Sequence, residues 1–388
     1  MNFSDYFNPI DLQQDIFAFD YNENQLATNI LLFNAEQNDL EEISIAIIGV
    51  EEDRNTYDNK GCASAPNLIR KYLYQLITPG NKKIVDFGNL KRGATVNDTY
   101  FALSAIIENL VKRKIIPLMI GGSQDLTYAN FLAYQKLEQT VNLVTIDSKL
   151  NFGEANDGIN ANNFLTKIVL HQPNFLFNYA NIGYQSYFVS KEELGLIEKL
   201  YFDAYRLGQI QKNMEEAEPI IRNADFVSFD ISSVRQSEAP ANKNASPNGF
   251  YGEQACQLAR YAGMSDKLTS IGFYEVNPEI DINNQTVHSV AQMIWYFIEG
   301  VNSRKNDFPI GSRTNYTKYL VTILDGKHDL IFYKSDKSDR WWMDIPYPIH
   351  SKIKYERHLL VPCSYKDYQT ASNNEMPDKW WQTFQKLI

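Results

Sequence analysis

The sequence is poor in cysteine, in clustered positive charge and in long apolar runs, and each shortage removes a class of function. The three cysteines Cys62, Cys256 and Cys363 are odd in number and far apart, without a CxxC pair. They are read as buried or incidental thiols, since a nucleophilic cysteine needs a neighbouring base that the sequence does not reveal. Lys and Arg number 37 against 47 Asp and Glu, a formal charge of −10, and no basic run offsets it. A surface that tracks phosphates has little electrostatic support, so nucleic acid is not an expected partner. The opening residues, MNFSDYFNPIDLQQD, lack a basic segment followed by an apolar one, and no stretch approaches the ~18 apolar residues of a membrane span. A cytoplasmic protein is expected. Internal repeats and low-complexity blocks are also missing.

What is present is a globular composition, 44% hydrophobic and 22% charged, with 24 Tyr and 22 Phe making it unusually aromatic. A chain of 388 residues is long enough for one large α/β domain with additions, or for two domains. Residues 1–43 are acidic and Asn-rich and read as an N-terminal arm with one helix. From residue 44 the rhythm is regular. ISIAIIGVE is a continuously apolar run of the kind that forms a strand buried on both faces, and the loop DRNTYDNKGCASAP follows it. Ser64 then opens a helix with Pro66 in its first turn, and Asp98 opens another whose Leu103, Ile106, Ile107 and Leu110 share a face. KIVDFG, KIIPLMIGG, VNLVTID, FLFNYANIG, ADFVSFDIS and KLTSIGFYEVNP are the further strands, with helices between them, one opened by the capping box Ser190 to Glu193.

Such alternation predicts a mostly parallel sheet covered by helices on both sides, with ligands bound at the carboxyl ends of its strands. Four of those ends carry candidate chemistry: GGSQD, IDSKLN, FDIS and FYEVNP. After residue 303 the rhythm changes to a C-terminal extension over 304–388. It contains a hairpin turning at Asp325-Gly326 and an aromatic tail with Trp341, Trp342, Trp380 and Trp381.

These four strand ends in this order, with IGVEEDRNTYDNKGCASAPNLIRKYL before them and the loop APANKNASPNGF among them, resemble the arginase superfamily of ureohydrolases. The superfamily includes agmatinase and formimidoylglutamase. The resemblance implies a three-layer α/β/α fold around a mostly parallel sheet, and in active members a pair of manganese ions holding a hydroxide that attacks an amidino carbon. It also implies where the ligands stand. Gln124 occupies a histidine position, Lys149 a second histidine position, Asn151 and Ser232 two aspartate positions, while Asp147 and Asp230 match the bridging aspartates. Four of the six have changed to neutral or cationic groups. The histidines His171, His288, His328, His350 and His358 match none of the family's catalytic positions, and the general-acid segment reads GINANNFL, with Asn160 and Asn162. Glu275 matches the residue that holds the cationic end of a guanidino substrate in relatives, although its place also suits a strand-end carboxylate.

The physical expectation is that Lys149 replaces metal charge by a salt bridge to Asp147 and Asp230, since two facing carboxylates repel. No cofactor is expected, the alternative being a single weakly bound manganese or magnesium ion on Asp125, Asp147 and Asp230. The leading functional expectation is a catalytically degenerate member that binds or scaffolds proteins through the aromatic extension, with self-association open. The alternatives are a divergent hydrolase of guanidino or formimino C–N bonds, and a small-molecule sensor whose pocket includes Asp125, Asn160, Asn162 and Glu275.

Overall fold

The computed structural model describes residues 2–34, 40–154, 158–309, 313–324, 326, 328–346 and 356–387. Asp325 and His350 lie outside the described residues.

A ten-stranded sheet runs through the body of the molecule. Its strands are β1 (Phe7–Asn8), β2 (Leu31–Leu32), β3 (Ile43–Val50), β4 (Lys83–Leu90), β5 (Ile116–Ile120), β6 (Val141–Ile146), β7 (Leu176–Tyr184), β8 (Asp203–Arg206), β9 (Phe226–Asp230) and β10 (Ser270–Tyr274). Their order is β1-β4-β3-β5-β10-β9-β6-β7-β8, with β2 also on β4, and every pairing is parallel except β1 with β4. The arm expected to carry a helix thus also lengthens the sheet edge. Its helix, α1 (Leu26–Asn29), is a single turn.

Helices cover both faces because successive strand residues point to opposite sides. Ile45 and Ile47 of β3 join a core with α2 (Ala65–Leu73), α9 (Gly252–Met264) and α10 (Gln285–Asn302). Ala46 and Ile48 of the same strand join the opposite core with α3 (Val96–Lys112) and α4 (Leu126–Lys136). The helix α3 is capped by Thr95, with Asp98 completing the capping box three residues on, so Asp98 is not itself the cap. Ser64 makes no side-chain cap either, because a 3-10 turn over Cys62–Ser64 leads into α2. The capping box of Ser190 and Glu193 forms as expected. The short helices α5 (Phe164–Leu170), α6 (Lys191–Lys199), α7 (Leu207–Lys212) and α8 (Ala217–Arg222) complete the layers.

The C-terminal extension builds a second, antiparallel sheet in the order β11 (Tyr316–Ile323), β12 (His328–Ser335), β13 (Trp341–Asp344), β14 (Leu360–Cys363). Two helices follow, α11 (Tyr365–Ser372) and α12 (Asp378–Leu387). The paired tryptophans do not face solvent as pairs. Trp341 and Trp342 are consecutive in a strand, so they enter clusters on opposite faces of a sheet covered on both. Trp380 and Trp381 are consecutive in a helix, so one ring is buried and the other, Trp381, is 50% exposed. A seam of charge joins the extension to the body. The buried Arg222 guanidinium donates to the carbonyls of Trp341 and Cys363 and lies 4.3 Å from the Trp342 ring. Asp225 accepts Arg357 at 2.8 Å and faces Lys267 at 3.5 Å.

No helix among the described residues is long and apolar enough to cross a membrane.

Candidate functional site

The strands carrying the four motifs, β5, β10, β9 and β6, are consecutive neighbours in the sheet, and all are parallel. Their carboxyl ends therefore meet at one point of one edge. Gly121 and Gly122 turn the chain after β5 with φ of 82° and 77°. A side chain on Gly122 would run into the carbonyl oxygens of Glu52 and Val50, at 2.8 and 2.9 Å from its first carbon, so this turn tolerates only glycine. The turn presents Gln124; β6 presents Asp147, Lys149 and Asn151; β9 presents Asp230 and Ser232; β10 presents Glu275.

These seven side chains line one cavity of about 20 Å³, room for a water molecule and little more. Its other walls are Tyr57 from the loop after β3, Ala161 and Asn162 from the segment before α5, and Asn242 and Asn244 from the loop after β9. Tyr57 is 53% exposed and forms part of the wall nearest solvent.

Three carboxylates share the space, and burial raises all three pKa values. Asp230 is driven well above the usual carboxylate range by burial and then by the charges of Asp147 and Glu275. Its Oδ1 accepts the Ser232 amide at 2.7 Å. Asp147 is raised by burial, against hydrogen bonds that favour its charged form. Those come from the Lys149 backbone amide at 2.9 Å and Asn151 Nδ2 at 2.7 Å. Burial pushes Glu275 up to about 7. Its carboxylate takes Gln124 N at 2.9 Å, Asn59 Nδ2 at 2.8 Å and Thr56 Oγ1 at 2.9 Å.

Three expectations change here. Lys149 forms no salt bridge with Asp147 or Asp230; its ammonium lies 6.0 Å from the centre of the Phe188 ring. Only its backbone amide serves Asp147, because the side chain leaves the strand end toward the half-exposed Phe188. Asp125 does not face the cavity. Its carboxylate accepts the hydroxyls of Tyr100 and Ser123 beneath the turn, and burial holds its pKa at about 6. Asn160 is also outside the lining and instead braces its own loop by accepting the Asn162 amide.

The residues do not fit a dimanganese centre. Such a centre needs bridging carboxylates facing the ions and terminal imidazole or carboxylate donors. Here both oxygens of Asp147 take protein donors, and Asn151 places an amide nitrogen, not a ligand atom, between Asp147 Oδ2 and Gln124 Oε1 at 2.7 and 3.1 Å. Among the described residues no three His, Cys, Asp or Glu side chains are grouped to hold a metal.

Sequence reasoning missed Thr56, Asn59, Tyr57, Asn242 and Asn244. Their signal was the density of asparagine in DRNTYDNKG and APANKNASPNGF. These amides satisfy one another and the strand ends: Asn59 and Asn242 both donate to the Glu275 carbonyl, at 3.0 and 2.9 Å.

The family model described as Arginase family matches residues 43–299. Formimidoylglutamase of Staphylococcus haemolyticus is 21% identical over 274 residues, 68% of this chain and 88% of that protein. Formimidoylglutamase of Staphylococcus epidermidis is 25% identical over 266 residues, 64% of this chain and 84% of that protein. Among solved structures, Trypanosoma cruzi formiminoglutamase with Mn2+ is similar at a TM-score of 0.66 and 17% identity, covering 73% of this chain and 100% of that one. Formimidoylglutamase from Bacillus subtilis gives 0.67 and 16%, covering 74% and 95%. The structural likenesses speak to the fold, and the match over most of the α/β body decides the family: the chain belongs to the arginase family.

Proposed function

We propose that the chain binds the cationic end of a formimino or guanidino compound at the Asp147, Asp230 and Glu275 cavity, without a dimanganese centre. The observation that carries this reading is three buried carboxylates converging on one small cavity with no ion-paired cation among them. A planar amidinium brings charge and several N–H donors in one group, and so offsets the burial that raises these pKa values and, at Asp230, the repulsion of Asp147 and Glu275. Asp230 is a receiving group, with the Ser232 amide on Oδ1 as its one backbone donor. The relatives' names support the compound class.

A second reading is favoured by those same names: a divergent hydrolase that breaks the C–N bond of such a compound. One preparation separates the two. The full chain is expressed with added manganese, purified without chelator, assayed for metal by mass spectrometry and for turnover of N-formimino-L-glutamate and guanidino compounds. Substoichiometric metal, saturable binding of a guanidinium compound and no turnover match the first reading. One or more manganese ions per chain, with release of product, match the second and overturn the first. The scaffolding expectation loses its main support, since three of its four tryptophans are buried.

A further inference from the structure

Lys149 is the single cationic residue lining the cavity, and it is left without a carboxylate partner among the described residues. It is half-buried, on the side of the cavity flanked by Phe188, which is itself partly exposed. Asn162, which lines the same cavity, makes no side-chain hydrogen bond among the described residues. An unpaired ammonium and a free amide thus stand beside an acidic floor.

That arrangement discriminates by charge pattern. A simple anion is attracted by Lys149 and repelled by the ionised fraction of Asp147, Asp230 and Glu275. A simple cation is attracted by the floor and repelled by Lys149. A dipolar molecule, with an amidinium at one end and a carboxylate at the other, meets an opposite charge at each end and a like charge at neither.

We infer that Lys149 is a specificity-determining residue that binds the carboxylate of a dipolar amidine or guanidine, with the Asn162 amide as its second donor. This rests on the reading of the carboxylate floor as a cation site. The bond formed is a charge-assisted hydrogen bond, and no covalent step is required.

The test uses two compounds that differ only at the far end, 4-guanidinobutanoate and n-butylguanidine, titrated calorimetrically into the chelator-treated full chain. The butanoate is expected to bind at least about tenfold more tightly. In Lys149→Met the two should bind within about twofold of each other, with n-butylguanidine unweakened, and Lys149→Arg should restore the preference. Thermal melts of both variants verify that they fold. If wild type binds the two compounds equally, or if Lys149→Met keeps the preference, the assignment of Lys149 is wrong while the cation site stands. If neither compound binds wild type, the cation site and the assignment both fall.

Discussion

Glu275 holds a left-handed backbone conformation, φ 65°, which a residue with a side chain adopts only when its surroundings enforce it. Here they do: Thr56, Asn59 and the Gln124 amide hold the carboxylate, while Asn59 and Asn242 hold the carbonyl. Asn59→Ala removes one donor to each and should cost about 1–3 kcal/mol, measured by denaturant unfolding. Asp230→Asn should cost little. The carboxyl is already held toward its neutral form by burial and by the charges of Asp147 and Glu275, so a neutral amide in its place should change stability by no more than about 1 kcal/mol, while guanidinium binding is lost. Lys149→Met should change stability by less than about 0.5 kcal/mol, because the ammonium holds no salt bridge. At this scale the strand-end motifs of the sequence placed Gln124, Asp147, Asn151, Asp230, Ser232 and Glu275 together, because a parallel sheet brings consecutive strand ends to one edge. The direction of the Lys149 side chain was not legible. Side-chain direction depends on Phe188, distant in sequence and unmarked by any motif.

Elements whose signal is local were readable, and those built by distant pairing were not. The alternation of strand and helix from β3 to α10, the capping box of α6 and the hairpin of β11 and β12 all announce themselves over a few residues. The two-residue strands β1 and β2 exist only because β4 offers an edge, β13 only because β12 does, and β14 only because β13 does. The burial of both Trp341 and Trp342 was not legible for the same reason: a strand with both faces covered has the same local sequence as one with a face open. The joint between the two sheets depends on Arg222, which is buried against two carbonyls and the Trp342 ring. Arg222→Ala strands those carbonyls and removes the cation from the ring. It should destabilise by about 2–4 kcal/mol and make the tryptophan emission shift at a lower denaturant concentration than the loss of helix.

The whole molecule's response to acid follows from the same seam. His358 is buried against Thr140 and Phe177, and its pKa is pushed down to about 3 by burial and by the charge of Lys267. The imidazole of an unfolded chain protonates near ~6.5, so between that value and about 3 the unfolded state holds the extra proton. Stability therefore falls as pH drops through this window. Glu275 and Asp125 act oppositely, since their raised pKa values make the fold lose stability as pH rises through about 7 and about 6. Comparing wild type with His358→Gln isolates the histidine: between pH 7.5 and 4.5 the variant should lose less stability than the wild type. The central claim, however, concerns the cavity. It is tested most directly by titrating 4-guanidinobutanoate into chelator-treated protein whose manganese content has been measured at well below one ion per chain. The account predicts saturable one-to-one binding that disappears in Asp230→Asn; binding that is absent until manganese is restored would contradict it.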